Sequence, residues 1–344
     1  MADPRGRGPD RSDRRVTITD VAAAAGASRS TTSRALTGSG YVSPEVRERV
    51  RKAAKSLGYV PDAMARGLKR RSSSSLGLLV SDLSNTFYAQ LAAGASRRAK
   101  ELGWTTLLAD TQGQPAEELA AAQAFLELRV AGVIVTPVSA AISGWLIKQG
   151  IPAVEVDRSF GAAGVDAVAV DNFRGAQQAT EHLIGLGHRR LGYIAGPQER
   201  TTTRHRLEGH RAALETHGIP VDDRLIVHGR YDRQSGYEAT LELLRRDPSL
   251  TAVVAANDSV ALGACAALRE AGLRIPDDVS VAGFDDLPFG VDAVPSLTTV
   301  RLPLSDAGAR AGRIAMGREE PPPGDLATVR GELMVRGSSG VPRG

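Results

Sequence analysis

The sequence predicts an α/β protein: a small all-helical N-terminal module followed by a larger body of parallel sheets arranged as two lobes. Three observations predict it. Residues 15–60 carry helix-capping and helix-stopping residues at three successive places. From Leu76 onward, short apolar runs bounded by turn residues alternate with helical segments, the pattern of strands buried on both faces between layers of helices. Those runs are also too many for one compact doubly wound sheet.

Taken in order, residues 1–14 are charged and rich in Pro and Gly, a composition that reads as a disordered basic tail. In the first helix of the 15–60 module, Thr17 and Asp20 stand at capping-box spacing. Ile18, Val21, Ala22 and Ala25 then recur at helical intervals, and Gly26 supplies a left-handed stop. Ser28 caps a second helix over Arg29–Leu36 that is crowded with hydroxyls and ends at "TGSG". Ser43-Pro44-Glu45 opens a third, with Val46, Val50, Ala53, Ala54 and Leu57 as its apolar face and Gly58 as its end. Two short helices joined through a glycine turn fit a helix-turn-helix. Residues 61–75 read as a linker. In the body, from 76 to 339, the strands are "SLGLLVSD", "TTLLAD", "GVIVTP", "PAVEVD", "AVAVDN", "RLGYIAG", "LIVHG", "TAVVAAND" and "VSVAGFDD", with helices such as Tyr88–Gly103 and Pro115–Leu128 between them. Several strands end in a polar residue: Asp82, Asp110, Thr136, Asp157, Asp171, Asn257, Asp258 and Asp285. Ligands of open α/β sheets bind beyond the carboxyl ends of the strands, so a small polar ligand in a crevice is expected there.

The second helix poses a question. Ser28, Ser30, Thr31, Thr32 and Ser33 are mediocre helix formers. A helix built of them is expected to touch something other than its own core. Charge points the same way. The net +4 hides an asymmetry, with 16 Lys+Arg against 7 Asp+Glu in residues 1–75 and 27 against 32 in the remainder. A basic N-terminal piece on a mildly acidic body is a footprint for a polyanion.

Other classes are excluded. No apolar run is long enough to span a bilayer, and the N-terminus has no apolar signal region, so a cytoplasmic location and no membrane partner are expected. The single cysteine, Cys265, excludes an internal disulfide and a cysteine-cluster metal site, and reads as a buried small hydrophobe. No phosphate-binding loop, nucleophile elbow or zinc motif occurs. The six histidines, His182, His188, His205, His210, His217 and His228, are scattered, and His188 reads as a surface loop residue. Asp285 and Asp286 are adjacent, so one is expected to face a ligand and the other to cap a turn or helix. No enzyme, cofactor or metal is expected.

The stretch "VTITDVAAAAGASRSTTSRALTGSGYVSPEVRERVRKAAKSLGYVPDAMARGL" strongly resembles the DNA-binding headpiece of LacI/GalR-family transcriptional regulators. The resemblance continues through "GLLVSDLSNTFYAQLAAG", "VDNFRGAQQATEHLIGLGHRRLGYIAGP", "RLEGHRAAL", "AANDSVALGACAAL", "VSVAGFDDLP", "PSLTTVR" and "ELMVRGS", and covers residues 15 to 339. It implies a helix-turn-helix headpiece, a hinge helix within 61–75, and a two-lobed effector domain of the periplasmic-binding-protein type (type I). The lobes are implied to be discontinuous, about 76–170 plus 300–325 and about 171–299 plus 326–339. A homodimer is implied, bound to a double-stranded, pseudo-palindromic DNA operator, acting as a repressor, and controlled by a small-molecule effector, a sugar or a nucleoside or purine. The alternative is a two-lobed solute-binding protein of transport type, which the basic headpiece argues against.

Through the resemblance, Arg29 and Ser30 fall at the main base-reading positions of the second helix, and Arg34 at a further DNA-contacting arginine. Short hydroxyls let that helix approach the major groove closely, and Arg34 is able to donate bidentately to guanine. Thr17, Ser28, Thr31 and Ser33 are candidates for phosphate contacts. Leu68 matches the leucine that wedges into the minor groove, with Lys69, Arg66, Arg70 and Arg71 beside it for phosphates. In the body, Phe87 and Tyr88 match apolar or aromatic pocket positions, Tyr231 an aromatic that stacks on the effector, Arg206 an effector-binding arginine and Asp285 an acceptor of effector hydroxyls or ring nitrogens. Asn257, Asp157, Arg200 and Thr202 are further candidates. The sequence departs from the family pattern at Thr32, where a buried valine is usual, at Asp62, where asparagine is commoner, at Thr86 in place of proline, and at His210 in place of an aromatic.

Overall fold

The computed structural model describes residues 16–38, 40–60, 73–161, 163–320 and 328–343. The tail 1–14 and the hinge candidates Asp62, Arg66, Leu68, Lys69, Arg70 and Arg71 lie outside the described residues. The chain divides into two compact units, Met1–Ser73 and Ser74–Gly344.

The first unit holds three helices, α1 (Ile18–Ala25), α2 (Arg29–Thr37) and α3 (Pro44–Ser56). The Asp20 carboxylate accepts from both the Thr17 backbone N–H (2.8 Å) and the Thr17 hydroxyl (2.7 Å), which closes the start of α1. Gly26 then turns left-handed with φ of 58°. Ser28 caps α2 by accepting from the Thr31 N–H at 3.1 Å. Ser43 and Pro44 open α3. Val21, Ala25, Ala35, Val42, Val50, Ala53 and Ala54 close a small common core. Leu57 is not part of it. It sits at the end of α3, 37% exposed, because the chain turns away at Gly58 (φ 64°).

The second unit is built on two parallel sheets. The first has five strands, β1 (Ser75–Val80), β2 (Thr105–Asp110), β3 (Gly132–Val135), β4 (Ala153–Asp157) and β5 (Asp166–Ala169), in the order β2-β1-β3-β4-β5. Helices α4 (Thr86–Glu101), α5 (Pro115–Glu127) and α6 (Ile142–Lys148) connect the first four. After β5 the chain enters α7 (Asn172–Gly185) and a second sheet of β6 (Leu191–Ala195), β7 (Ile226–His228), β8 (Ala252–Ala255) and β9 (Ser280–Ala282), ordered β7-β6-β8-β9. Its connecting helices are α8 (Thr201–Thr216), α9 (Arg233–Arg246) and α10 (Asp258–Glu270), and a short α11 (Pro288–Val291) follows β9. The chain returns through β10 (Thr299–Arg301) to α12 (Leu304–Ala315), whose buried face packs with β3, β4 and α4 of the first sheet. A last strand, β11 (Glu332–Met334), pairs antiparallel with β10. Beyond it Ser338 binds the edge of β9 through Val281.

Three further sequence expectations are corrected. The strands are not all buried on both faces: β2 lies at a sheet edge and is half-buried, with Leu108 42% exposed. His188 is not on the surface. It is buried beneath the C-terminal segment, where its ring nitrogens meet Thr251 Oγ1 (3.0 Å), Ser280 Oγ (3.0 Å) and the Gly340 carbonyl (2.9 Å). Asp286 caps neither turn nor helix. It is held by Arg301 (2.7 Å) and Arg336 (2.6 Å), which tie the segment after β9 to β10 and to the chain beyond β11. Asp285 and Asp286 both have positive φ (106° and 54°), so the alternation of an extended strand does not apply to them. Cys265 is buried in the core of the second sheet, as expected of a small hydrophobe.

Candidate functional site

In the first unit, the 3.6-residue period divides α2 into two faces. Thr32 and Ala35 are buried, while Arg29, Ser30 and Arg34 are exposed together, with Ser33 half-buried between them. A helical face bearing two guanidinium groups and short hydroxyls, with no apolar bulk, is suited to the edges of bases in a groove. The hydroxyls are partly engaged locally. Ser28 bonds Thr31 Oγ1 (2.8 Å) and Ser30 Oγ (2.9 Å), and the Thr17 hydroxyl is committed to Asp20. Arg34 Nε approaches the Ser30 carbonyl at 3.4 Å, which lays its side chain along the exposed face.

In the second unit, the carboxyl ends of both sheets open onto one crevice. The structure brings together there all of Phe87, Tyr88, Asp157, Arg200, Thr202, Arg206, Tyr231, Asn257 and Asp285. It adds Asn85 and Arg158, which the sequence reading did not single out. Their signals were present: Asn85 stands at a helix start and Arg158 directly follows the strand-end Asp157.

The first lobe contributes an aromatic wall. Asn85 caps α4 by accepting from the Phe87 N–H (3.0 Å). Phe87 and Tyr88 then meet edge to face at 5.0 Å. Burial pushes the Tyr88 phenol above its ordinary range, so it stays neutral. Arg158 Nη2 donates to Ser81 Oγ at 3.0 Å.

The second lobe contributes an arginine fixed on every side. Arg206, on α8, donates through Nε to Asn172 Oδ1 (2.7 Å), through Nη1 to the Ala256 carbonyl and through Nη2 to Asp285 Oδ1 (3.5 Å). Its guanidinium lies 3.9 Å from the Phe284 ring centroid. Tyr231 Oη bonds Thr203 Oγ1 (2.7 Å) and its ring passes over Gly196, where a Cβ would collide with it. Asn257 caps α10 (Val260 N–H, 2.9 Å) and donates to the Tyr231 carbonyl (3.4 Å).

Two aspartates face the crevice with left-handed backbone, Asp157 (φ 69°) and Asp285 (φ 106°). Backbone of this kind is costly for a residue with a Cβ and gathers at working sites. Burial raises both carboxyls. Asp285 is pushed up to about 7, with Arg206 opposing and Asp157 adding to the shift. Asp157 is raised by burial against the pull of Arg158 and Arg206. One oxygen of Asp157 has no hydrogen-bond partner among the described residues. An aromatic wall, fixed guanidinium groups and two carboxylates can hold a small polyfunctional molecule by stacking and paired hydrogen bonds. His210 takes no part: it is buried against Tyr193 (ring centroids 4.6 Å), away from the crevice.

A helix-turn-helix unit and a two-lobed parallel-sheet body with a polar crevice define a class: a regulator that couples nucleic-acid binding to a small ligand. Residues 17–62 match the family described as bacterial regulatory proteins, lacI family. Residues 73–316 match periplasmic binding proteins and sugar binding domain of LacI family. The chain is similar to the ribose operon repressor of Halalkalibacterium halodurans, 36% identical over 321 residues, 93% of this chain and 95% of the relative. Among solved structures it is similar to a transcriptional regulator CelR–cellobiose complex, with a TM-score of 0.71 and 34% identity over 94% of this chain and 100% of that one. It is also similar to the Lac repressor dimer bound to operator and the anti-inducer ONPF, with a TM-score of 0.83 and 28% identity over 95% of this chain and 100% of that one. The chain belongs to the LacI family: it is a DNA-binding transcriptional regulator with an effector-binding body. These relatives are regulators rather than enzymes. The helix-turn-helix match also sets aside the transport-type alternative. Among the described residues, no helix is long and apolar enough to cross a membrane.

Proposed function

We propose that the chain is a repressor that binds a pseudo-palindromic operator as a homodimer and answers to a sugar in the inter-lobe crevice. Arg29, Ser30 and Arg34 would read bases, while Thr17, Ser28, Thr31 and Ser33 would contact phosphates. Arg66, Leu68 and Lys69 would serve the minor groove from the hinge segment 61–75. The sugar would stack on Phe87, Tyr88 and Tyr231 and exchange hydrogen bonds with Arg206, Asp285, Asp157, Asn257, Arg200 and Thr202. The lobes would comprise about 76–170 plus 300–325 and about 171–299 plus 326–339. A ligand that bridges both lobes favours one lobe orientation, and it shifts DNA affinity only by its preference between two states. The names of the relatives, a ribose operon repressor and a cellobiose complex, support a sugar over a nucleoside.

The observation that carries this reading is the convergence of both lobes' polar residues on one crevice. Asp285→Asn keeps an oxygen for Arg206 but removes the charge. It should abolish the effector's influence on operator affinity and leave ligand-free operator binding at the parent level. Gel-shift titrations of parent and variant with and without sugar test this. Loss of ligand-free binding, or an unchanged response, would contradict it.

A further inference from the structure

We propose that the effector is an anionic sugar, a monosaccharide bearing a carboxylate or a phosphate. The inference rests on the crevice being the effector site and concerns its charge. Three guanidinium groups face the crevice, Arg158, Arg200 and Arg206, against two carboxylates, Asp157 and Asp285. Arg206 is committed within its own lobe to Asn172, the Ala256 carbonyl and Asp285. The other two are not matched in this way. Arg158 is 6% exposed, and its hydrogen bond goes to the neutral Ser81 hydroxyl. Among the described residues it forms no ion pair within 4 Å. The Arg200 guanidinium forms neither a hydrogen bond nor an ion pair within 4 Å among the described residues. Its guanidinium reaches across to the loop after β2, where a Cβ on Gly113 would lie 3.7 Å from Nη2. A buried guanidinium with no anion in direct contact is an unfavourable arrangement that an incoming anion relieves.

The start of α8 adds to this. Arg200 is its N-terminal flanking residue, no side chain caps the helix and its first turn holds no acid. By contrast, α7 and α10 are capped by Asp171 and Asn257. The first-turn N–H groups of α8 and the positive end of its dipole therefore stand beside Arg200 and Thr202 with no side-chain acceptor.

The opposite requirement comes from the carboxylates. Among the described residues, Asp157 Oδ1 has no hydrogen-bond partner, and the Asp285 carboxylate has only the 3.5 Å contact with Arg206. Both call for donors. A neutral sugar supplies hydroxyls for Asp157 and Asp285 but leaves the Arg158 and Arg200 guanidinium groups with no anion in direct contact. An inorganic anion does the reverse. A sugar with hydroxyls on one side and a negative group on the other satisfies both sets.

The test is calorimetric titration of the full-length chain with matched sets: D-glucose, D-glucuronate and D-glucose 6-phosphate; D-galactose and D-galacturonate; D-ribose and D-ribose 5-phosphate. At least one anionic member should bind about tenfold or more tightly than its neutral parent. The carboxylate and phosphate arms identify which anion is read. In Arg200→Gln, checked for parent-like thermal unfolding, that advantage should shrink toward unity, and in the parent protein it should weaken as salt rises. A neutral sugar that binds as tightly as its anionic forms overturns the charge assignment and leaves the effector crevice standing. Absence of binding by every anionic sugar also overturns it. Binding that Asp285→Ala leaves unchanged places the sugar elsewhere and overturns the crevice reading together with this one.

Discussion

At the scale of single residues, Thr32 shows how one hydroxyl can work against a fold. It lies on the inner face of α2, fully buried, and among the described residues its Oγ1 has no hydrogen-bond partner. A buried hydroxyl left unsatisfied costs about 1–3 kcal/mol. Valine has the same shape and the same β-branch restriction in a helix, so only the polar atom is lost on substitution. Thr32→Val should stabilise the headpiece by about 1 kcal/mol, or about 4–8 °C in melting temperature for a domain of this size. Thermal unfolding of the headpiece by circular dichroism checks it. Operator affinity at low temperature should not change, because the side chain points away from Arg29, Ser30 and Arg34. The departure from the family's buried valine was visible once the resemblance was drawn. That the hydroxyl goes without a partner required the packed helices.

At the scale of elements, the position of Arg206 in the crevice depends on how closely two helices approach. α7 and α8 pack side by side, and Gly209 of α8 faces the Phe173 carbonyl of α7 at a distance that admits no Cβ. This contact lies one turn from Arg206, whose Nε is bonded to Asn172 on α7. Gly209→Ala would force the helices apart and lengthen that bond. Overpacking of this kind costs about 1–3 kcal/mol. The variant should therefore be less stable in urea by that amount and should bind sugar more weakly, whereas Gly218→Ala, at a left-handed turn with open space around it, should lower stability without altering sugar affinity. Equal loss of affinity in both variants would contradict the claim that α7–α8 spacing positions Arg206. The elements themselves were legible from capping residues and apolar runs. The edge exposure of β2 was not, because its apolar run reads like that of a central strand and only sheet order distinguishes them.

At the scale of the whole molecule, the pH dependence of stability reports on what the body buries. Burial pushes His210 down to about 3 and also lowers His188 and His182. An unfolded histidine titrates near 6.5, so the unfolded chain binds these protons first. Stability from these groups is therefore present above about pH 6.5 and is lost as pH falls below it. Buried Asp258 and Asp285 act in the other direction. Asp258 is raised to about 8 by burial and by the charge of Asp285, and Asp285 to about 7. Their folded forms hold protons that the unfolded chain releases near pH 4, so their contribution is lost as pH rises through 7 and 8. His210→Phe isolates one limb. Its partner Thr180 still donates to the Ala176 carbonyl (2.9 Å), and a phenyl ring keeps the stack on Tyr193. The difference in melting temperature between this variant and the parent should grow in the variant's favour as pH is lowered from 7 to 5. A constant difference would show that His210 is not held neutral by burial.

By itself the sequence determined the order of helices and strands, the parallel sheets and the basic N-terminal module, because caps, apolar periodicity and charge act over a few neighbouring positions; beyond the strand-end Asp157, Asn257 and Asp285, the crevice residues were legible only through the resemblance to the family. Tertiary structure alone decided which of those residues meet. Arg158 and Asn85 join the crevice, His210 packs on Tyr193 away from it, His188 is covered by the C-terminal segment, and Asp286 becomes an ion-pair hub rather than a cap. Each of these outcomes depends on segments distant in the chain packing together, and burial, partner and pKa follow from that packing rather than from local pattern.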